Sequence, residues 1–203
     1  FQQDGRLTLC LADVTGHAME AAVPVMMFSG ILESEIKYDY TLIDLYTHLN
    51  QTLHRKLNNR TYVCFCMGTF DIATRSFRMA NAACPYPFHY RAATGDVDEL
   101  EVGAYPLGAR SDSVYTDLET MVGIGDYVVF CSDGIIEAVN KQDDPFGFEQ
   151  TAQCIRQSAL EGLSAKALID RLIDAVQTFV GEVPQADDMT CVVLRVEENA
   201  NNN

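Results

Sequence analysis

The sequence is short of positive charge. Lys and Arg number 14 against 29 Asp and Glu, a formal net charge of −15 at pH 7. A protein that grips nucleic acid displaces counterions with a basic patch, and no segment here supplies one. A polybasic membrane contact is excluded for the same reason. There is no apolar run of about 18 residues and no basic-then-apolar leader at the N-terminus. The expectation is an acidic, cytoplasmic protein with neither a nucleic-acid nor a membrane partner. Paired metal-binding cysteines are missing too: the seven cysteines are an odd number and contain no C-x-x-C. Cys10, Cys64, Cys66, Cys131 and Cys191 fall in apolar, strand-like runs, and read as reduced core residues and not as disulfides or zinc ligands. No Ser-His-Asp pattern is present, nor a Cys leading a phosphate-cradling Arg loop, an internal repeat or a low-complexity linker. What remains is ordinary globular material. With 203 residues, 48% of them hydrophobic and 21% charged, one domain with a sizeable core is expected over residues 1–196. Residues 197–203 form a polar tail.

Periodicity divides the chain. Leu7–Asp13 is an apolar run ending in an acid and reads as a buried strand. A helical region follows, with Met19, Ala22, Val23, Met26, Met27, Gly30 and Ile31 at helical spacing, expected to face a core. Pro24 should kink or reset that helix. A second helix over Thr41–Leu57 carries Leu42, Leu45, Leu49 and Leu53. The period then shortens: Tyr62–Phe70, Phe77–Asn81, Phe88–Arg91 and Val97–Val102 read as strands. Val114–Met121 and Tyr127–Cys131 form a hairpin candidate, with Asp126 fixing its turn. Helices over Phe148–Ala159 and Ser164–Val180 precede a final strand, Met189–Val196. Ser164 caps the second helix, whose Leu168, Leu172, Val176 and Phe179 make one stripe. Helix pairs beside meander-like strands favour an α+β domain with an antiparallel sheet or sandwich.

Three apolar strands meet abrupt carboxylates: Leu9–Asp13, Val128–Gly134, and Asp187-Asp188 before Met189–Leu194. A carboxylate at the edge of a buried strand loses solvation and needs a partner. Turn amides can supply it, since Asp before Gly commonly caps a turn. A hard divalent cation such as Mg²⁺ or Mn²⁺ can supply it instead, taking a few carboxylate oxygens and keeping several waters. The residues alone leave both open.

In order along the chain stand Ala12-Asp13-Val14-Thr15-Gly16-His17 with Ala21-Ala22, Asn81-Ala82-Ala83, and Pro106-Leu107-Gly108. Gly125-Asp126, Ser132-Asp133-Gly134-Ile135-Ile136-Glu137-Ala138, Phe146-Gly147 and Asp187-Asp188-Met189-Thr190 follow. This ordered set resembles the metal-dependent serine/threonine phosphatases of the type 2C class, in the bacterial branch typified by stage II sporulation protein E. The resemblance implies a sandwich of two antiparallel β-sheets flanked by helix pairs, with a site for two Mg²⁺ or Mn²⁺ ions at one end. Asp13 matches the acid that bridges the ions and Val14 the residue that offers a backbone carbonyl. Asp133 and Asp187 match further carboxylate ligands. Gly134 and Asp188 adjoin those ligands in a supporting role. His17 after Gly16 reads either as a proton donor to the leaving group, in a supporting role beside the ligands, or as a capping or packing residue. Through a metal-activated water, Asp13, Asp133 and Asp187 would carry out hydrolysis with no nucleophilic side chain. The remaining acids and imidazoles have plainer readings: His48 and His54 as surface or groove residues, Asp143-Asp144 as a solvated turn.

The resemblance also implies a substrate: phosphoserine or phosphothreonine on a small protein of the anti-sigma-factor antagonist type. An upstream receiver or sensor module is expected with it. The competing reading is an adaptor that holds a sigma factor or another regulator without turnover. Three departures from the branch pattern stand out. Ala83-Cys84 replaces Gly-His in the segment Asn81–Pro85, and Ala18 replaces a Gly. No Gly-Gly-Asp segment lies upstream of Asp13, and Asp4 in its Asp-Gly turn is no substitute. The expectation is therefore that an N-terminal strand is missing, leaving the metal site of this chain one carboxylate short and its activity low.

Overall fold

The computed structural model describes residues 2–3, 5–15, 19–58 and 60–198; of residues 3 and 19–21 only the backbone is described. In chain order the elements are β1 (Gln2–Gln3), β2 (Arg6–Val14), α1 (Met19–Glu35), α2 (Leu42–Lys56), β3 (Val63–Asp71), β4 (Ser76–Ala82) and β5 (Phe88–Arg91). Then come β6 (Asp96–Glu99), β7 (Asp117–Met121), β8 (Tyr127–Cys131), α3 (Asp133–Ile136), α4 (Gly147–Leu160), α5 (Ala165–Val180) and β9 (Cys191–Arg195). Asp4, His17 and Ala18 lie outside the described residues. The expected α+β class holds: two antiparallel sheets, ordered β1-β2-β3-β4-β7 and β6-β5-β8-β9, each with helices packed on it. No described helix is long and apolar enough to cross a membrane. The chain packs as two compact units, residues 1–84 with 102–120, and residues 85–101 with 121–203.

In the first unit, β2 and β3 pair without interruption from Arg6↔Asp71 to Val14↔Val63. Gly68 of β3 makes room for the ring of Phe77 on β4, which an added Cβ would displace. Helix α2 opens on Thr41, whose hydroxyl accepts the Asp44 amide at 3.1 Å, and closes with His54, Arg55 and Lys56 against its C-terminal dipole. Its Tyr46, Leu49 and Leu53 are fully buried, each worth roughly 1.5–3 kcal/mol of apolar transfer. The Tyr46 hydroxyl donates to the Ala80 carbonyl at 2.7 Å, so the ring's polar tip is satisfied within the core.

Helix α1 departs from expectation twice. It runs on through Pro24 without a break. Proline removes one bond of the ladder, and the bonds on either side of it carry the helix on. Its packed face also differs. Phe28 and Leu32 are buried with Ile31 against them, while Val23 is 65% and Met26 75% exposed. Apolar residues occupy nearly every face of α1, so spacing alone does not single out the one that packs.

In the second unit all five residues of β8 are buried. Phe88 and Tyr90 of β5, Tyr127, Val129 and Cys131 of β8, Ile155 of α4 and Leu168, Leu172 and Val176 of α5 share one cluster. Ser164 caps α5 by accepting the Ala167 amide at 3.2 Å; Phe179 packs at the cluster's edge. The β7–β8 hairpin does not form. β7 lies beside β4, where Arg78 pairs with Asp117 and Glu119, and β8 lies between β5 and β9. Asp126 does fix the turn between them, but it ties that turn to β5: its carboxylate accepts Gly123 N at 2.8 Å, Ala92 N at 2.8 Å and His89 Nε2 at 2.9 Å. The amide of Gly125 meanwhile donates to the Val196 carbonyl at the end of β9. With those bonds made, the chain leaves the turn along β5 and β9 instead of folding back on β7.

Candidate active site

The acids of the second unit are held by a small clasp. β8 ends at Cys131, and Ser132 stands in extended backbone before the single turn of α3. The Ser132 hydroxyl donates to the Asp188 carbonyl at 3.0 Å and accepts the Thr190 amide at 2.9 Å. Its own amide donates to the Thr190 carbonyl at 2.9 Å. These three bonds lay residues 188–190 along the end of β8. Gly134 completes the clasp, since a Cβ there would sit 2.3 Å from the Asp188 carbonyl oxygen and 3.3 Å from the Asp187 carbonyl carbon. Only glycine lets the Asp187-Asp188 backbone approach that closely.

The result is that Asp133 and Asp187 line one cavity of about 170 Å³, together with Glu137, Gln185, Val180 and Met189. One oxygen of each aspartate accepts the amide of the next residue at 2.8 Å, Gly134 and Asp188 respectively. Gln185 Nε2 donates to the Asp187 carbonyl at 2.7 Å. Asp133 is half-buried and Asp187 exposed. Among the described residues, the ion pairs of this unit involve none of Asp133, Glu137, Asp187 and Asp188. The cavity therefore gathers hard oxygen donors of one sign without a basic counter-charge, a donor set that suits Mg²⁺ or Mn²⁺.

Asp13 and Val14 belong to the first unit, at the end of β2. Asp13 is half-buried opposite Cys64, and Val14 is buried opposite Val63. Thr15 carries the pairing one step further: its amide and hydroxyl both donate to the Tyr62 carbonyl, and its hydroxyl accepts the Tyr62 amide at 3.0 Å. Among the described residues no three acid, His or Cys side chains are grouped closely enough to hold a metal ion. Gly134 and Asp188 enter the clasp through their backbones. Sequence reasoning missed Ser132 and Glu137. Ser132 was legible as the polar residue between a buried strand and Asp133-Gly134; Glu137 lies four residues after Asp133, one helical turn on.

Two further segments of the ordered set have structural roles. Asn81 closes the turn to Cys84, donating to its carbonyl and accepting its amide, both at 2.9 Å, with Ala83 at φ 69°. Asn50 and His54 of α2 hold the loop after Pro106 through Gly108 and Arg110.

The ordered segments and the two sheets meet a known pattern: residues 3–197 match the family described as Stage II sporulation protein E (SpoIIE). The chain belongs to the SpoIIE family. A curated relative, the phosphoserine phosphatase RsbU of Bacillus subtilis (strain 168), is 21% identical over 189 residues, covering 93% of this chain and 55% of that protein. The chain thus spans about half the length of that relative. Among solved structures, the SiaA-PP2C domain of Pseudomonas aeruginosa superposes with a TM-score of 0.84 at 19% identity, covering 97% of this chain and 78% of that one. The catalytic domain of the serine threonine protein phosphatase PstP, solved with two manganese ions, gives 0.64 at 14% identity, covering 92% and 85%. At such identities the structures establish the fold: this SpoIIE-family chain has the fold of PP2C phosphatase domains.

Proposed function

We propose that this SpoIIE-family chain is a Mg²⁺- or Mn²⁺-dependent phosphatase that hydrolyses phosphoserine or phosphothreonine on a regulatory protein in the cytoplasm, as the output domain of a signalling protein. The observation that carries the reading is the pair Asp133 and Asp187 on one cavity wall with no basic partner among the described residues. Asp133 and Asp187, with Asp13 and the Val14 carbonyl, would hold the ions. Bound there, divalent cations lower the pKa of water toward about 7 and offset charge on phosphoryl oxygens.

The chain's own residues supply position. Ser132 and Gly134 fix the Asp187 arm against the end of β8. The amides of Gly134 and Asp188 each hold one carboxylate oxygen, which sets the direction of the other. Val180 and Met189 add apolar lining beside the carboxylates. The acidic character of the site is suited to cation capture and repels a phosphorylated substrate until that charge is neutralised. The substrate we favour is a phosphorylated antagonist of an anti-sigma factor, in keeping with the relation to RsbU.

The test uses the full-length protein. With saturating Mn²⁺ it should release phosphate from such a phosphoprotein over many turnovers. Asp133→Asn and Asp187→Asn should abolish release and weaken Mn²⁺ binding measured by calorimetry, with the circular dichroism spectrum unchanged. Wild-type turnover in either variant would refute the metal assignment. Stoichiometric capture of a regulator without phosphate release would instead make the domain an adaptor.

A further inference from the structure

The strand pair beneath the acid clasp also carries two cysteines face to face. Cys131 ends β8, Cys191 begins β9, and the register pairs them directly. One step beyond, Ser132 N donates to the Thr190 carbonyl, so that position of the ladder is a hydrogen-bonded one. Antiparallel positions alternate, which puts Cys131 and Cys191 at a non-hydrogen-bonded pair, with Cα atoms about 4.5 Å apart and side chains at their closest. Both side chains project to the same face. Cys131 belongs to the cluster under α4 and α5, and Cys191 packs against that cluster.

A disulfide accepts Cα separations of about 4.4–6.8 Å, so closing this one needs no parting of the strands. In the register, Cys10 faces Met67, Cys64 faces Asp13, and Cys66 faces Leu11 and Asn81. Cys131 is buried and Cys191 only half so, which makes Cys191 the thiol that a small oxidant meets first.

We propose that Cys131 and Cys191 form a reversible oxidation site, closing to a cross-strand disulfide in the presence of hydrogen peroxide. The Cys191 sulfur attacks one peroxide oxygen, the O–O bond breaks, and the thiol becomes a sulfenic acid with release of one water. The Cys131 sulfur then displaces that oxygen as a second water and the S–S bond forms. Two S–H bonds are lost, and the two electrons removed from sulfur reduce the peroxide. The bridge joins β8 to β9 at the root of both arms that bear Asp133 and Asp187, and encloses residues 132–190. This site rests on the cysteine geometry and is independent of the proposed phosphatase activity.

The intact chain is treated with stoichiometric hydrogen peroxide, its remaining thiols are alkylated, and its peptides are mapped by mass spectrometry. The expected product is a Cys131–Cys191 linked peptide that dithiothreitol removes, with Tm raised by about 5–10 °C in the oxidised protein. Cys191→Ser should lose both the linked peptide and the Tm rise, while Cys154→Ser should keep them. The idea fails if Cys131 remains alkylatable while Cys191 accumulates as sulfinic acid, if Cys191 links to Cys154, or if no cysteine responds.

Discussion

The two units share a plan, an antiparallel sheet with helices packed on one face, yet they bury polarity differently. The first unit buries neutral amides: Asn50 holds Gly108 and Arg110, and Asn81 holds Cys84. The second buries a titratable pair. His89 is fully buried, its Nε2 2.9 Å from the Asp126 carboxylate, and its Nδ1 lacks a hydrogen-bond partner among the described residues. Burial holds the His89 pKa below the ordinary histidine value, against the opposing pull of the Asp126 hydrogen bond. The helices differ too. In the second unit α4 and α5 each bury one stripe, whereas α1 of the first unit is apolar on nearly every side and leaves Val23, Val25 and Met26 exposed. A polar network can thus tie loops with or without a pH dependence, and a helix can be apolar without being a core helix.

The largest effect on turnover is expected at the clasp. Gly134→Ala forces a Cβ against the Asp188 carbonyl, so the Asp187 arm must move. Overpacking of this kind costs about 1–3 kcal/mol, and a displacement near 1 Å lowers turnover on the order of 100-fold. Urea denaturation and phosphate release measured on the same variant check both, and an unchanged turnover would deny the clasp its role.

The helix contrast is checked by truncating one residue in each unit. Leu168→Ala on α5 empties a fully buried site and should cost about 2–5 kcal/mol. Met26→Ala on α1 should stay within about 0.5 kcal/mol of wild type. Similar losses at both positions would show that the exposed face of α1 is covered in solution.

The pH contrast comes next. A histidine whose folded pKa is depressed refuses a proton that the unfolded chain accepts below about 6.5. Its contribution is therefore complete above that value and is lost as pH falls through 6.5 toward the folded pKa. The urea midpoint of wild type should drop between pH 7.5 and pH 5.5 by more than that of His89→Gln, which retains an amide donor toward Asp126. Equal drops would assign the acid sensitivity to other groups.

The smallest effect concerns Ala83. Its φ of 69° lies in the left-handed region, which costs an L-residue with a Cβ about 1 kcal/mol. Ala83→Gly, the residue common at this position in the branch the chain resembles, should raise stability by about that amount in thermal melts. No gain would mean that the Asn81 clamp already absorbs the strain.

Much of this was legible in the residues themselves. The stripes of α2 and α5, the cap at Ser164, and the strand runs that become β2, β3, β4 and β8 follow from local period and local hydrogen bonding, which are properties of neighbouring residues in the chain. The acids at the ends of strands were equally plain, because an apolar run that stops at a carboxylate is itself a local pattern. Other features depended on partners far away in sequence. Which face of α1 packs was decided by where Phe65 and the α2 side chains stand, since α1 carries no polar face of its own. Whether β7 and β8 pair was decided by Asp126, whose carboxylate reaches Ala92 and His89, and by Arg78 drawing β7 to β4. That Asp133 and Asp187 share a cavity depended on the fit of Gly134 against a peptide more than fifty positions away. Local chemistry sets the elements and their ends, and long-range hydrogen bonds and close approaches choose among the pairings that those elements leave possible.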